Sequence, residues 1–334
     1  MCPFRAAPVT SDSLTPESVE WARRRIAPHV VRTPLIKSQA TPDGNVFLKC
    51  ENFQVTNSFK VRGAYSGLLG YRAHDPEVWG WIEREGVVVG SSGNFAQGAA
   101  HAARTLGIGY TAVVPDSAPQ VKLDAIRQLN DRARIVTVPY PQWRRMMTES
   151  TFPEHPGFFL SSELDDHVSS GIATMGVEIA EQLPEVGVLF VPYGGGNLAY
   201  SLCRVMQWLK PDVEVYAVEV STGAPFDASL LKGEPTEVEY TESFVDGIGA
   251  EFVIPAQFYR LRNLLAGSLV VTPREVAEAL SSLVFRDKLV CEGAGAAAFA
   301  AAVAHDSITA GRISCAIVSG GVIDPAVLVR HAIA

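Results

Sequence analysis

Val188-Leu189-Phe190-Val191-Pro192-Tyr193-Gly194-Gly195-Gly196-Asn197-Leu198 decides the fold class. An apolar run of strand length breaks into a glycine turn, and a helical stretch over Leu198–Leu209 follows at once. The same order of strand, turn and helix recurs along the chain, which is the pattern of a parallel sheet covered on both faces. Working outward, strands are expected at Val46–Lys49, Gly86–Val89, Tyr110–Val114, Ala133–Val138, Gly187–Val191, Val213–Ala217, Leu269–Val271 and Ile313–Val318. Helices are expected at Phe59–Gly70, Ala96–Leu106, Pro119–Leu129, Gly171–Gln182, Pro273–Phe285 and Gly293–His305. Thr272-Pro273 with Glu275 is a strong helix start. The reading is α/β.

The 334 residues are enough for two compact domains. Pro139–Pro156, rich in proline and polar residues, reads as a return crossing between them. A small domain over residues 83–152 is therefore expected inside a large one built from 1–82 and 153–334. An apolar fraction of 47% and a charged fraction of 19% describe a soluble globular chain. The net charge of −8 argues against a nucleic-acid surface. No apolar run reaches the ~20 residues needed to cross a bilayer. The opening residues through Ser18 lack a basic and then apolar leader and read as a loose arm. Cys2, Cys50, Cys203, Cys291 and Cys315 are scattered without metal spacing. Each reads as a small core hydrophobe in a reducing, cytoplasmic setting.

Four segments carry chemistry. In Asn57-Ser58-Phe59-Lys60-Val61-Arg62-Gly63-Ala64, one of only seven lysines sits beside an aromatic at a helix start. Desolvation and a helix dipole can make such an amine a nucleophile, although a place on a solvated helix face is the commoner fate of lysine. Ser91-Ser92-Gly93-Asn94 turns from a strand into a helix and offers hydroxyls and N–H groups to a carboxylate, or serves only as a cap. Gly194-Gly195-Gly196-Asn197 lets backbone approach a phosphate at a helix N-terminus. It is neither GxGxxG nor a Walker motif, which excludes a nicotinamide dehydrogenase or nucleoside-triphosphate reading. Ser319, just past the last strand, is a turn residue or a hydroxyl for a heteroaromatic nitrogen.

SFKVRGA (58–64), SSGN (91–94) with Gln97-Gly98, VPYGGGNL (191–198), CEGAGAAA (291–298) and VSGGVID (318–324) together resemble the fold-type II pyridoxal-phosphate enzymes. They are most similar to the branch of serine/threonine dehydratases (ammonia-lyases) and serine racemases, in register from about Thr33 to Asp324. The resemblance implies the tryptophan synthase β-like fold, with two domains of parallel-rich twisted sheets flanked by helices. The large domain would bind pyridoxal 5'-phosphate, and the chain would be a homodimer. By position, Lys60 would be the Schiff-base lysine and Phe59 would pack beside the ring. Asn94 would bond the ring's 3′-oxygen, and Glu292 would lie near the ring. Gly194, Gly195, Gly196, Asn197 and Leu198 would cradle the phosphate, while Ser319 faces the pyridine nitrogen. Ser91, Ser92 and Asn94 would hold the substrate carboxylate, with Arg145 as a further substrate contact. Lys60 and Ser92 are the catalytic candidates.

This implies α,β-elimination of water and then ammonia from L-threonine or L-serine. Racemisation with Ser92 as the second acid–base group is the main alternative; β-replacement and a silent binder are weaker ones. The pattern departs from the family at Phe95, at Val322, at Gly171-Ile172-Ala173-Thr174 and at Ser161-Ser162-Glu163-Leu164-Asp165-Asp166. These departures leave open a specialised substrate such as a hydroxyaspartate or phenylserine. Pro225 stands where a cation-binding aspartate is expected after Glu219, with Asp227 nearby, so no strong metal site is expected. The short stretch after Asp324 leads us to expect no appended regulatory domain.

Overall fold

The computed structural model describes residues 14–41 and 44–333. Among them ten strands form two sheets: β1 (Leu35–Lys37), β2 (Val46–Cys50), β3 (Val87–Val89), β4 (Tyr110–Pro115), β5 (Arg134–Val138), β6 (Phe158–Phe159), β7 (Val186–Pro192), β8 (Glu214–Val220), β9 (Gly267–Val271) and β10 (Ile313–Val318). Six make one sheet in the order β1-β2-β10-β7-β8-β9, and four make another in the order β5-β4-β3-β6. Every pairing of these strands is parallel except β1 with β2. Helices over most of the expected ranges connect the strands. The chain is α/β, as its alternating pattern predicts.

The described chain divides into two compact units. One joins residues 14–30 with Lys60–Thr174 and contains the four-stranded sheet. The other joins Val31–Phe59 with 175–333 and contains the six-stranded sheet. In the second unit, β7 is almost wholly buried, as a parallel strand covered on both faces must be. The helix Gly293–Ala304 reads GAGAAAFAAAVA and buries nearly every residue. Its small side chains bring the helix axis close to β10 and β7. The core of the first unit gathers Val88, Val113, Val138, Met146, Phe152 and Phe159.

The differences from the expected elements have local causes. The first lysine-bearing helix begins at Lys60, one residue later than expected, and the Phe59 amide just before it donates to the Ser319 carbonyl at 3.1 Å. Pro139–Pro156 is not irregular throughout: a helix runs over Tyr140–Glu149. Its prolines occupy the N-cap and first turn, where no amide donor is needed. β1 and β6, of three and two residues, are too short to show a period. Pro16–Ile26 and Pro76–Glu85 are further helices, each with proline in its first turn. Cys50, Cys203, Cys291 and Cys315 are free and buried, and burial pushes the Cys50, Cys203 and Cys315 thiols up to about 12. Cys2 and most of the N-terminal arm lie outside the described residues. No helix among the described residues is long and apolar enough to cross a membrane.

Candidate active site

Lys60 opens the helix Lys60–His74, with its side chain 20% exposed. Its Nζ donates to Glu163 Oε1 at 3.1 Å, and Glu163 is itself 8% exposed. Ser162 Oγ donates to the same carboxylate oxygen at 3.0 Å. The loop that carries Glu163 is held in place by its own polar groups. Ser161 Oγ accepts from the Leu164 amide at 3.1 Å and meets Ser150 Oγ at 3.1 Å. Asp165 caps the next helix through Val168 N, and Tyr71 donates to its other oxygen at 2.6 Å. Burial, the largest influence, raises the Asp165 carboxyl above its ordinary range. The Lys60–Glu163 pair spans 103 positions, and sequence reasoning assigned it no role. The carboxylate in an otherwise unusual Ser161–Asp166 run was its only signal.

Gly98 lies against the start of the same helix. A side chain there would stand 3.0 Å from Val61 Cα and 3.3 Å from the Lys60 carbonyl carbon. The Gln97-Gly98 pair therefore serves a backbone-to-backbone approach beside the lysine. β3 ends before the Ser91–Asn94 turn, where Ser91 Oγ accepts from the Gly93 amide at 3.2 Å. Gly93 is the N-cap of Asn94–Leu106 and has no side chain with which to cap it. The first-turn amides of this 13-residue helix are thus not taken by the N-cap residue. Ser91, Ser92 and Asn94 are half-buried, while Phe95 turns into the core.

The remaining candidates belong to the second unit, where one run of contacts joins them. β7 ends at Pro192, Gly194 and Gly195 are half-buried, and Asn197–Leu209 begins as a helix of 13 residues. Gly196 has φ +94°, a conformation that side-chain-bearing residues rarely adopt. A Cβ there would also stand 3.1 Å from Leu261 Cδ1 and 3.2 Å from the Tyr193 ring. A Cβ on Gly194 would meet the Gly247 carbonyl oxygen at 3.3 Å, and one on Gly247 would stand 3.5 Å from Glu292 Oε1. The Glu292 amide donates to the Gly320 carbonyl at 3.1 Å, and Ser58 pairs with Gly320 as an antiparallel bridge. The Phe59 amide on the Ser319 carbonyl closes the series. Phe59, Glu292 and Ser319 are all buried, as are Asn197 and Leu198. Ser201 donates to Asn197 Oδ1 at 3.3 Å.

The glycine turn fits a phosphate monoester. A Cβ at Gly194 or Gly196 would crowd neighbouring atoms, so the turn keeps its backbone bare, and helix amides with a positive dipole end follow it. The neutral hydroxyl of Ser319 and the apolar face of Phe59 suit a heteroaromatic ring. These residues accordingly fit pyridoxal phosphate.

Two candidates stand apart. Arg145 is exposed on Tyr140–Glu149, beside a hollow lined by Gln142, Met146, Glu149, Phe152 and Glu154 and by no other candidate. Glu219 is buried and caps the helix Pro225–Lys232 with both oxygens: it accepts from Phe226 N at 3.0 Å, Asp227 N at 2.7 Å and Ser268 Oγ at 3.3 Å. Burial pushes its carboxyl up to about 7. Among the described residues no cluster of three or more His, Cys, Asp or Glu side chains could hold a metal ion.

Residues 26–320 match the family model described as pyridoxal-phosphate dependent enzyme. The chain is 33% identical over 318 residues to an L-threonine ammonia-lyase of Thermotoga maritima, covering 93% of this chain and 76% of that protein. Among solved structures it resembles a pyridoxal 5'-phosphate-dependent aspartate racemase at 26% identity and TM-score 0.82, covering 95% of this chain and 98% of that one. Maize serine racemase is similar at 27% identity and TM-score 0.81, covering 94% and 95%.

Proposed function

The chain belongs to the pyridoxal-phosphate dependent enzyme family, and on that premise we propose that it is an ammonia-lyase acting on a small β-hydroxy amino acid such as L-threonine or L-serine. The reaction removes the β-hydroxyl and the amino group and leaves a 2-oxo acid and ammonia, with no external oxidant or reductant. The observation that supports it most is the run of contacts from the Gly194 turn through Gly247, Glu292 and Ser319 to Phe59, after which Lys60 is the next residue. The 33% identity to an L-threonine ammonia-lyase favours elimination within that family.

When bound, the cofactor supplies an electron sink that makes the α-proton of the substrate removable. Lys60 would hold the cofactor and, once released, would take that proton on its Nζ. Gly194, Gly195, Gly196, Asn197 and Leu198 bind the phosphate through backbone N–H groups and the helix dipole. Phe59 would cover the ring, Glu292 would lie near it and Asn94 would bond its 3′-oxygen. Ser319 would offer a neutral hydroxyl to the ring nitrogen, a partner that would not hold a proton there and would favour β-elimination over prolonged α-proton exchange. Ser91, Ser92 and Asn94 hold the substrate carboxylate against the uncapped helix start, and Arg145 completes the substrate assignment. The small domain of this reading covers residues 83–152, with 1–82 and 153–334 as the cofactor-binding domain. The enzyme is a cytoplasmic homodimer in the same proposal.

Racemisation is the second reading, favoured by racemases among the similar structures. It needs Ser92 as the acid on the opposite face from Lys60. A chiral assay separates them: 2-oxobutanoate from L-threonine supports elimination, whereas a D-amino acid accumulating without oxo acid supports racemisation. Replacing Lys60 by Ala removes the visible absorbance of lysine-bound cofactor and lowers turnover by about 10³-fold or more. A yellow, active Lys60→Ala variant refutes the assignment.

A further inference from the structure

The glycine turn proposed to hold the cofactor phosphate has walls of its own, and behind them stands a buried carboxylate for which elimination has no use. We infer that Glu219 is a positioning residue for that turn, acting through Phe226 and Tyr193. That role presupposes the phosphate assignment above.

Every link is a contact within the second unit. Glu219 is the next-to-last residue of β8 and is buried. Its Oε1 accepts from the Phe226 amide at 3.0 Å and its Oε2 from the Asp227 amide at 2.7 Å. The helix Pro225–Lys232 has Ala224 at its N-cap, which offers no side-chain acceptor, so the cap comes from β8 instead. Phe226, in the first turn, is fully buried. Its ring stacks on Tyr193 with centroids 4.4 Å apart and meets Phe258 edge-on at 6.0 Å. Tyr193 directly precedes Gly194, and Phe258 lies on the helix Pro255–Leu261 that ends in Leu261. Leu261 and Tyr193 are the side chains that would stand 3.1 and 3.2 Å from a Cβ at Gly196. One ring therefore backs both walls of the glycine at φ +94°. Stacked rings can slide, because burial of apolar area has little directionality. Two charge-assisted bonds to one carboxylate instead fix where the first turn of the helix lies. The amides of the glycine turn must in their turn meet a phosphate at hydrogen-bond distance, and a small displacement of their wall weakens that fit.

The test reads the pyridoxal phosphate dissociation constant of the full chain from its visible absorbance, and the environment of the bound phosphate from its phosphorus NMR signal. Glu219→Ala weakens cofactor binding by about tenfold, and Glu219→Gln, which keeps one acceptor oxygen for the two amides, by about threefold. Phe226→Leu keeps an apolar side chain without the flat ring and also weakens binding by about tenfold. Combined with Glu219→Ala the loss stays near tenfold, not the roughly 100-fold of independent effects. The phosphorus signal moves in all of these variants. Two controls keep the wild-type constant and signal: Gly233→Ala, at the far end of the same helix, and Ser268→Ala, which removes a hydroxyl from Glu219 Oε2 but leaves both amides in place. Should Glu219→Ala fail to fold, Glu219→Gln and Phe226→Leu with their double variant carry the same comparison. A Glu219 variant that loses stability in urea yet keeps the wild-type constant and phosphorus signal overturns the inference. So do losses that multiply in the double variant, and so does Mg²⁺ that tightens wild-type cofactor binding, because the carboxylate would then serve a cation. A wild type that binds no pyridoxal phosphate refutes the phosphate assignment itself, and this role of Glu219 falls with it.

Discussion

Replacing Gly196 by Ala separates what the glycine turn owes to backbone shape from what it owes to its ligand. The position has φ +94°, and a Cβ would stand 3.1 Å from Leu261 Cδ1 and 3.2 Å from the Tyr193 ring. Left-handed backbone costs an alanine roughly 1–2 kcal/mol, and crowding adds about 1 kcal/mol more. The unfolded chain also loses freedom, which returns roughly 0.5 kcal/mol. The net cost is about 1.5–2.5 kcal/mol. Gly233 supplies the control, since it has φ +79° at the end of the helix Pro225–Lys232 and a Cβ there would meet nothing within 4 Å. Gly233→Ala therefore suffers strain alone, about 1 kcal/mol. Urea unfolding of both variants without cofactor measures the difference directly. Titration with pyridoxal phosphate then reads the second effect: displaced helix amides weaken Gly196→Ala by about tenfold to 100-fold, whereas Gly233→Ala binds as the wild type does. If the two variants unfold at the same urea concentration and bind the cofactor equally, both the crowding and the phosphate assignments are wrong.

Other consequences concern charges. The folded Glu219 carboxyl titrates at about 7 against 4.5 for an ordinary glutamate, chiefly through burial. Between those values the folded state keeps a proton that the unfolded chain has released, so this group's contribution to stability falls as pH rises through the window and stays lost above it. Glu219→Gln has no such proton, so the wild-type-minus-variant difference in unfolding free energy drops by about 3 kcal/mol from pH 4.5 to 8. A difference that stays constant with pH rules this out. In the second unit the fully buried Lys49 Nζ donates to Glu178 Oε2 at 2.6 Å, with the Thr33 carbonyl and Gln182 Oε1 each at 2.9 Å. Glu178→Ala strands that ammonium and costs about 3–5 kcal/mol in urea unfolding. A loss below about 1 kcal/mol shows that the remaining acceptors suffice.

The sheet strands were legible because a parallel strand buried on both faces must be apolar along its length, as in β7 and β10. The helix starts were legible where a cap or proline marks them, as at Thr272-Pro273. What escaped was set by partners distant in sequence. The Phe59 amide donates to the carbonyl of Ser319, near the other end of the chain, a pairing that no local pattern announces. Pro139–Pro156 reads as a crossing, yet Pro139 and Pro141 stand at the N-cap and first turn of Tyr140–Glu149, where they do not oppose a helix.

The candidate site divides along the same line. Glycines before a helix announce a phosphate cradle within a few residues of sequence, so Gly194–Asn197 could be read without a partner. A lysine's chemistry depends on what faces it, and no local pattern near position 60 names Glu163. The candidate phosphate turn was therefore legible and the neighbour of Lys60 was not: the turn is built from consecutive residues, whereas Glu163 meets Lys60 across 103 positions. The Ser161–Asp166 run departs from the family pattern and is ordered by hydrogen bonds of its own. Its hydroxyls and its helix-capping aspartate keep a carboxylate buried beside the amine, an arrangement costly to hold unless the charge is balanced or used.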